Sequence, residues 1–327
     1  MKKPRIVVVG GGTGSYVALS GLKKYPVDLT AIVTMMDSGG SSGKLRDELG
    51  VLPPGDVRQC LVALAESSRL LREMFNYRFE GGGLSGHTFG NIFLSALEKT
   101  TGSMKKAITE VGKILRIRGQ VIPVTFSKAD LCVELIDGKI IVGETHIDVV
   151  EKKEKRVPIR RAFLDPKVEA NPDAILAIQK ADFILIGPGD LYTSIIPNLL
   201  VHGIKDSIQK SKAKKIYVLN LMTKYGQTTR YTASDHIRDL EKYTGRQILD
   251  TVLVNTKVPS DEALAWYVDF EEYPVSDDLG RSSDYLITRA HLVKNVMIEQ
   301  SVRDRLRRSI IRHDPDKLAS AIIKLIS

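Results

Sequence analysis

The sequence predicts an α/β protein built on a doubly wound, mostly parallel sheet, with an inserted β-hairpin and helical elaboration. Three observations predict it. Short apolar runs alternate with helix-spaced segments over most of the 327 residues. Glycine-rich turns follow three of those runs: IVVVGGGTGS at 6–15, DSGGSSGK at 37–44 and ILIGPGDLYTS at 184–194. Residues 120–149 break the alternation with short Val-, Ile- and Thr-rich runs between turn signals. Strand alternating with helix implies a parallel sheet covered on both faces, and the interruption marks an edge or cap.

Taken in order, residues 5–9 read as a buried strand, 15–24 as a helix behind the first turn, and 27–34 as a second strand. Together they make a βαβ unit with a right-handed crossover. Between 54 and 101 the apolar spacing is helical: Val57, Leu61 and Leu64, then Leu70, Leu71 and Met74, then Ile92, Phe93 and Leu97. A further helix is expected at 104–115. Ile136-Asp137-Gly138-Lys139 reads as a hairpin turn, since Asp-Gly tolerates the positive φ angles of a two-residue loop. Helix 172–180, strand 183–186, helix 197–211, strand 216–219, helix 233–243 and strand 251–254 continue the alternation. The last helix spans 314–326, with Asp314 as N-cap and Pro315 in its first turn. No repeat or low-complexity tract divides the chain, so 1–327 is expected to be one domain, with 120–165 as a cap elaboration.

Hydrophobic content of 43% and charged content of 27% are ordinary for a soluble globular protein. No apolar run approaches membrane-spanning length, and Met-Lys-Lys-Pro leads straight into a strand, so neither a membrane span nor a signal peptide is expected. Cys60 and Cys132 form no Cys-x-x-Cys, which fits a reducing, cytoplasmic setting. The net charge is +9, much of it local. Arg303, Arg305, Arg307 and Arg308 crowd one segment; Lys152, Lys153, Lys155, Arg156, Arg160 and Arg161 crowd another. With no recognised nucleic-acid motif and 6% aromatic residues, these read as solvated faces that steer an anionic small molecule, and no nucleic acid is expected as partner.

Glycine lets backbone N–H groups converge on an anion, and helix N-termini add a favourable dipole. Gly11, Gly12, Thr13 and Gly14 of the first turn are therefore phosphate-binding candidates. The turn fits a dinucleotide fingerprint only loosely, because Ser15 or Val17 stands where the third glycine belongs. Asp37 nevertheless sits where an acid would hold a ribose, which keeps a nicotinamide enzyme as a rival. Gly39-Gly40-Ser41-Ser42-Gly43-Lys44 is not a P-loop: Ser38 replaces its first glycine and Leu45 its Mg²⁺-binding hydroxyl. Asp37, Gly40, Ser41, Lys44 and Arg46 still carry groups able to meet a ligand.

Asp56 reads as a helix cap or a site acid, and Arg58 in the same first turn makes sense facing a phosphate or an acid. His87 and Asn91 lie four apart at another helix start, on one face. His87 is a candidate acid or a simple cap. Gly187, Gly189, Asp190, Tyr192 and Thr193 follow one strand and Asn220 and Thr223 another, where ligands of doubly wound sheets bind. The histidines show no metal spacing; a metal, if used, is Mg²⁺ carried by phosphates and Asp37 or Asp56. Asp37, Asp56 and His87 are the candidates to position that metal or a proton.

With these residues assembled, the chain resembles the YvcK/CofD family over nearly its whole length. The resemblance rests on GGGTGS, GGSSGKLRDEL, PPGDVRQCLVALA, LSGHTFGNIFLSAL, ILIGPGDLYTSIIPNLL, YVLNLMTKYGQTTRYTASDH and IIRHDPDKLA. It is more similar to the YvcK, gluconeogenesis-factor branch than to the 2-phospho-L-lactate transferases. The resemblance implies a Rossmann-like fold and a cytoplasmic protein that binds UDP-sugars, notably UDP-N-acetylglucosamine. It also implies a role in central carbon metabolism, cell-wall precursor supply and cell shape, and assembly as a homo-oligomer is expected. The transferase branch implies the alternative, Mg²⁺-dependent attack of a deazaflavin hydroxyl on guanosine-diphospho-lactate. Two positions tied to UDP-sugar binding correspond to Tyr267 and Arg312. Two motifs depart from the family: its paired acids before GGSSG stand here as Asp37-Ser38, and its GPGS as GPGD. The first removes an acid that transferase chemistry would miss if it supports Mg²⁺. The second adds the charge of Asp190, which repels a phosphate unless a metal or Arg58 offsets it.

Overall fold

The structure, a computed structural model, describes residues 2–150, 156–280, 284–294 and 310–326. Lys152, Lys153, Lys155 and the Arg303–Arg308 cluster lie outside the described residues.

Apolar runs form the strands of the main sheet: β1 (Arg5–Gly10), β2 (Asp28–Val33) and β3 (Gln120–Pro123). The inserted region supplies β4 (Asp130–Leu135), β5 (Ile140–Val142) and β6 (Ile159–Asp165). The main sheet resumes with β7 (Phe183–Ile186), β8 (Lys214–Val218), β9 (Thr251–Asn255) and β10 (Leu286–Ala290). Its order is β10-β9-β8-β7-β1-β2-β3, with every pairing parallel. β1 and β7 lie side by side, with Val9 opposite Ile186, and the chain leaves them in opposite directions across the sheet. Such a switch point opens a crevice beyond the strand ends.

The helices of the first half are α1 (Gly12–Leu22), α2 (Gly40–Leu49), α3 (Gly55–Leu64), α4 (Arg69–Asn76), α5 (Phe89–Thr101) and α6 (Met104–Leu115). A short α7 (Glu144–Asp148) ends the β4–β5 hairpin, and α8 (Pro172–Lys180) leads to β7. Then come α9 (Ile196–Leu200), α10 (Ile204–Lys210), α11 (Ala233–Thr244), α12 (Asp261–Val268) and α13 (Pro315–Ile326). None of the helices among the described residues is long and apolar enough to cross a membrane.

Side chains along β1 alternate between two cores. Ile6 and Val8 join Leu19, Leu61 and Leu318 from α1, α3 and α13. Val7 and Val9 join Ile178, Ile196 and Ile237 from α8, α9 and α11. Burying a Val or Ile side chain contributes about 1.5–3 kcal/mol, so a strand buried on both faces tolerates no polar run. Leu131 and Val133 of β4 pack into the second core, which anchors the antiparallel β5-β4-β6 sheet against the parallel one. That small sheet is the expected elaboration, and the Asp137-Gly138 hairpin forms between β4 and β5. It begins later than the sequence suggests, because Gln120–Pro123 pairs with β2 as an edge strand of the main sheet.

Helices at 104–115 and 172–180 match their expected bounds. The helix expected at 197–211 is instead interrupted: a wide turn (Leu191–Ile195) runs into α9, and Gly203, at φ 94°, separates α9 from α10. α1 starts at Gly12 rather than Ser15, so the glycine turn is itself the first turn of the helix.

Candidate functional site

The first glycine turn is bound on two sides by close packing. Gly11 caps α1 in extended conformation, with no side-chain cap and no acid in the first turn. A Cβ on Gly14 would strike the carbonyl of Pro188 in the turn after β7, and one on Gly11 would strike the Asp56 carboxylate. Asn220, just beyond β8, donates to the Gly189 carbonyl at 2.7 Å, and Asn198 donates to the Gly10 carbonyl at 3.1 Å. Backbone therefore meets backbone across the switch point, with the N-terminus of α1 facing the crevice.

On the β2 side, Asp37 Oδ1 accepts the Gly39 N–H at 2.9 Å, and α2 starts one residue later. Asp56 takes the Gly12 N–H. Burial raises both carboxyls above the ordinary carboxylate range, and the charge of Asp37 adds to the effect on Asp56, pushing it up to about 8. Arg58 opposes both shifts through its charge.

A cavity of about 290 Å³ opens between these groups. Gly12, Thr13, Gly14, Asp37, Asp56 and Gly189 line it, as do Asp190, Thr193, Asn220 and Arg312, all expected site residues. Gly11 sits immediately behind, as the cap of α1.

Other expected residues lie off this wall. Ser41, Arg58, His87 and Asn91 form a buried polar cluster joining α2, α3 and α5. Ser41 Oγ lies 3.2 Å from His87 Nδ1 and accepts from Asn91 Nδ2 at 3.1 Å; Asn91 Oδ1 accepts from Arg58 Nε at 2.9 Å. Arg58 also donates to Asn76. Burial, then the charge of Lys44, lowers the His87 ring below its usual value. Gly40 and Gly187 flank the cavity without lining it. Tyr192 is fully buried and donates to Asp239. Thr223 is tied by its N–H and hydroxyl to the backbone of Tyr273. Tyr267 acts at one remove: its buried hydroxyl accepts the Ile311 N–H at 3.0 Å, beside Arg312 on the cavity wall.

Four titratable wall residues were not expected: Glu144, Asp148, Lys224 and His313. Glu144 and Asp148 come from α7, so the inserted sheet builds part of the site. Burial raises Glu144 well above the carboxylate range, and Asp37, Asp148, Asp56 and Asp190 push it the same way. Lys224 answers the charge of Asp190, at 3.9 Å, and of Asp148, at 3.2 Å, so the offset expected of Arg58 or a metal comes from a lysine. Burial alone would lower Lys224, but these acids and Glu272 hold it above its ordinary value. Burial lowers the His313 ring to about 4, and it bonds the Leu219 backbone. Lys224 and His313 stand within the motifs YVLNLMTKYGQTTRYTASDH and IIRHDPDKLA, but neither motif shows which groups these side chains meet.

Among the described residues no three His, Cys, Asp or Glu side chains are grouped to hold a metal ion. Asp37 and Asp56 supply two hard oxygen donors beside the glycine turn, a set that suits Mg²⁺ only when ligand phosphates complete it.

A family model described as 2-phospho-L-lactate transferase CofD matches residues 6–297. The gluconeogenesis factor of Bacillus subtilis is 41% identical over 330 residues, covering 99% of each chain. That of Halalkalibacterium halodurans is 44% identical over 335 residues, covering 99% of this chain and 97% of the relative. A crystal structure of a UPF0052-family protein from Bacillus halodurans superimposes with a TM-score of 0.88 at 43% identity, covering 99% of each chain. The chain belongs to the YvcK/CofD (UPF0052) family.

Proposed function

We propose, from this family membership, that the protein binds a nucleotide-sugar of the UDP-N-acetylglucosamine type and thereby regulates central carbon metabolism and cell-wall precursor supply, with effects on cell shape. One observation carries the reading: the glycine turn of α1, held at backbone distance from the turn after β7, faces a crevice with Lys224 and Arg312 on its wall. Backbone N–H groups at a helix start suit phosphate oxygens. Arg312 adds a cation for the diphosphate, and Tyr267 positions it through the Ile311 backbone. A diphosphate close to Asp37 and Asp56 is repelled unless those acids hold protons or share a cation. Asp37 and Asp56 would hold Mg²⁺, which when bound neutralises phosphate charge. Calorimetry with UDP-N-acetylglucosamine, with and without Mg²⁺, tests the proposal. Heat of binding that strengthens with Mg²⁺ is expected; silence with this and other UDP-sugars at millimolar concentration sinks it.

A second reading is transferase chemistry of the CofD type, favoured by the two carboxyls, Asp37 and Asp56, that stand together beside the glycine turn. Incubation with guanosine-diphospho-lactate, deazaflavin and Mg²⁺ should then yield product, and a clean blank removes it. The proposal also carries a cytoplasmic location and a homo-oligomer, which light scattering of the purified protein would reveal.

A further inference from the structure

The glycine turn accounts for phosphate, but not for the acidic wall that α7 brings to the same cavity. α7 is fixed there from three directions. The Thr145 N–H donates to Ser38 Oγ at 3.0 Å, and the two hydroxyls lie 3.2 Å apart. Asp148 receives Lys224 Nζ at 3.2 Å and Gln227 Nε2 at 3.0 Å. At the other end the Gly143 N–H donates to the Leu131 carbonyl of β4 at 2.8 Å, tying α7 to the inserted sheet. Asp148 is thus committed to cations and amides that hold the helix. Glu144 is different: its only bond to a neighbouring side chain among those described is a 3.4 Å approach from the Thr145 hydroxyl. It faces Asp37, Asp56 and Asp190 across the cavity and shares its own wall with Asp148.

A phosphate offers only acceptors and negative charge, so it has no reason to lie against this wall. No three His, Cys, Asp or Glu side chains are grouped to hold a cation among the described residues, so one at this wall would depend on ligand phosphates for its remaining oxygens. A hydroxyl both donates and accepts, and so it pairs with a carboxyl group whether or not that group holds its proton.

We propose that Glu144 is a specificity-determining residue that hydrogen-bonds hydroxyl groups on the non-phosphate end of the ligand, with the Ser38–Thr145 clasp setting its position. This rests on the nucleotide-sugar reading and deepens it: the glycine turn takes the phosphates, and α7 selects a polyhydroxylated group attached to them. Ser38 thus meets α7 through a hydroxyl contact rather than through a charge.

The test compares UDP with UDP-N-acetylglucosamine and UDP-glucose by calorimetry on the full chain. Wild-type protein should bind both sugar nucleotides more tightly than UDP. Glu144→Ala should weaken the sugar nucleotides by about tenfold, the effect of losing one hydrogen bond, while UDP changes less than about twofold. Glu144→Gln, which keeps hydrogen-bonding capacity, should restore most of the preference. Ser38→Ala should shift the sugar nucleotides in the same direction by a smaller factor. Equal losses for UDP and the sugar nucleotides, or a Glu144→Ala variant that keeps the preference, would overturn the assignment alone. Loss of the Mg²⁺ effect in Glu144→Ala would overturn it in favour of a metal ligand. Wild-type protein that binds none of the three would overturn the nucleotide-sugar reading itself, and this assignment with it.

Discussion

A methyl group added at Gly14 would run into the Pro188 carbonyl, whereas one added at Gly81, Gly82, Gly83 or Gly86 would meet nothing within 4 Å. Both segments carry four glycines, GGGTG at 10–14 and EGGGLSGH at 80–87. In the turn after β1, glycine is required because a second backbone, that of the turn after β7, passes at van der Waals distance. In residues 80–87 every position is exposed until His87, and the segment borders no part of the cavity. Glycine in a turn therefore reports permission for an unusual or close backbone path. Only the neighbouring chain decides whether a ligand site results.

Substitutions should separate the two regions, beginning with the tightest. Gly14→Ala should destabilise the protein by about 3 kcal/mol, since rigid backbone, not a flexible side chain, blocks the Cβ, and nucleotide binding should fall with it. Urea unfolding and calorimetry read both effects. Gly11→Ala should cost less, about 1–2 kcal/mol, because the Asp56 carboxylate and Thr34 methyl in its way are side chains able to shift.

Asp56 gives the same region a pH signature. Its folded value of about 8 stands above the ordinary 3.8, so the folded state keeps a proton that the unfolded chain releases between those values. Stability should therefore fall as pH rises from about 4 to about 8 and level off above. Asp56→Asn, which keeps an oxygen for the Gly12 N–H, should flatten part of that slope in thermal melts; an unchanged slope contradicts the assignment. Gly83→Ala should change stability by less than about 0.5 kcal/mol and leave ligand binding intact. A large effect there would erase the distinction.

Much of the fold was legible because periodicity and burial coincide. β1 and β7 are apolar on both faces and run into glycine, β2 ends in the buried run Ala31–Val33, and α6 and α8 show clean helical spacing between caps. β10 escaped notice for the opposite reason. It is an edge strand with no buried residue in Leu286–Ala290, so its sequence carries no apolar pattern. α12 fully buries only Ala263 and Tyr267, with Leu264 and Trp266 half-buried against the same small satellite core, too little for a periodic signal. Site residues follow the same division. Gly12, Asp37, Asp190 and Asn220 stand at strand ends, where topology alone points to a ligand. Glu144 and His313 reach the cavity from an inserted hairpin and a distant loop, and no local pattern encodes such arrivals. Arg58 and His87 had the right chemistry in the right motifs, yet side-chain direction turned them into the Ser41–Asn91 cluster.

The central position of β1 has a consequence for biosynthesis. Arg5 pairs with Asp182, 177 residues later, and α1 rests on α13, with Gly21 against the Pro315 carbonyl. A nascent chain emerging from the ribosome thus displays its glycine turn early but lacks the strand beside it until β7 is made. The helix behind it is covered only after α13 appears. Long-range parallel pairing is slow to form, and an uncovered apolar strand is exposed to aggregation meanwhile. The crevice, whose wall draws on residues from Gly12 to His313, accordingly cannot be complete until nearly the whole described chain has been made.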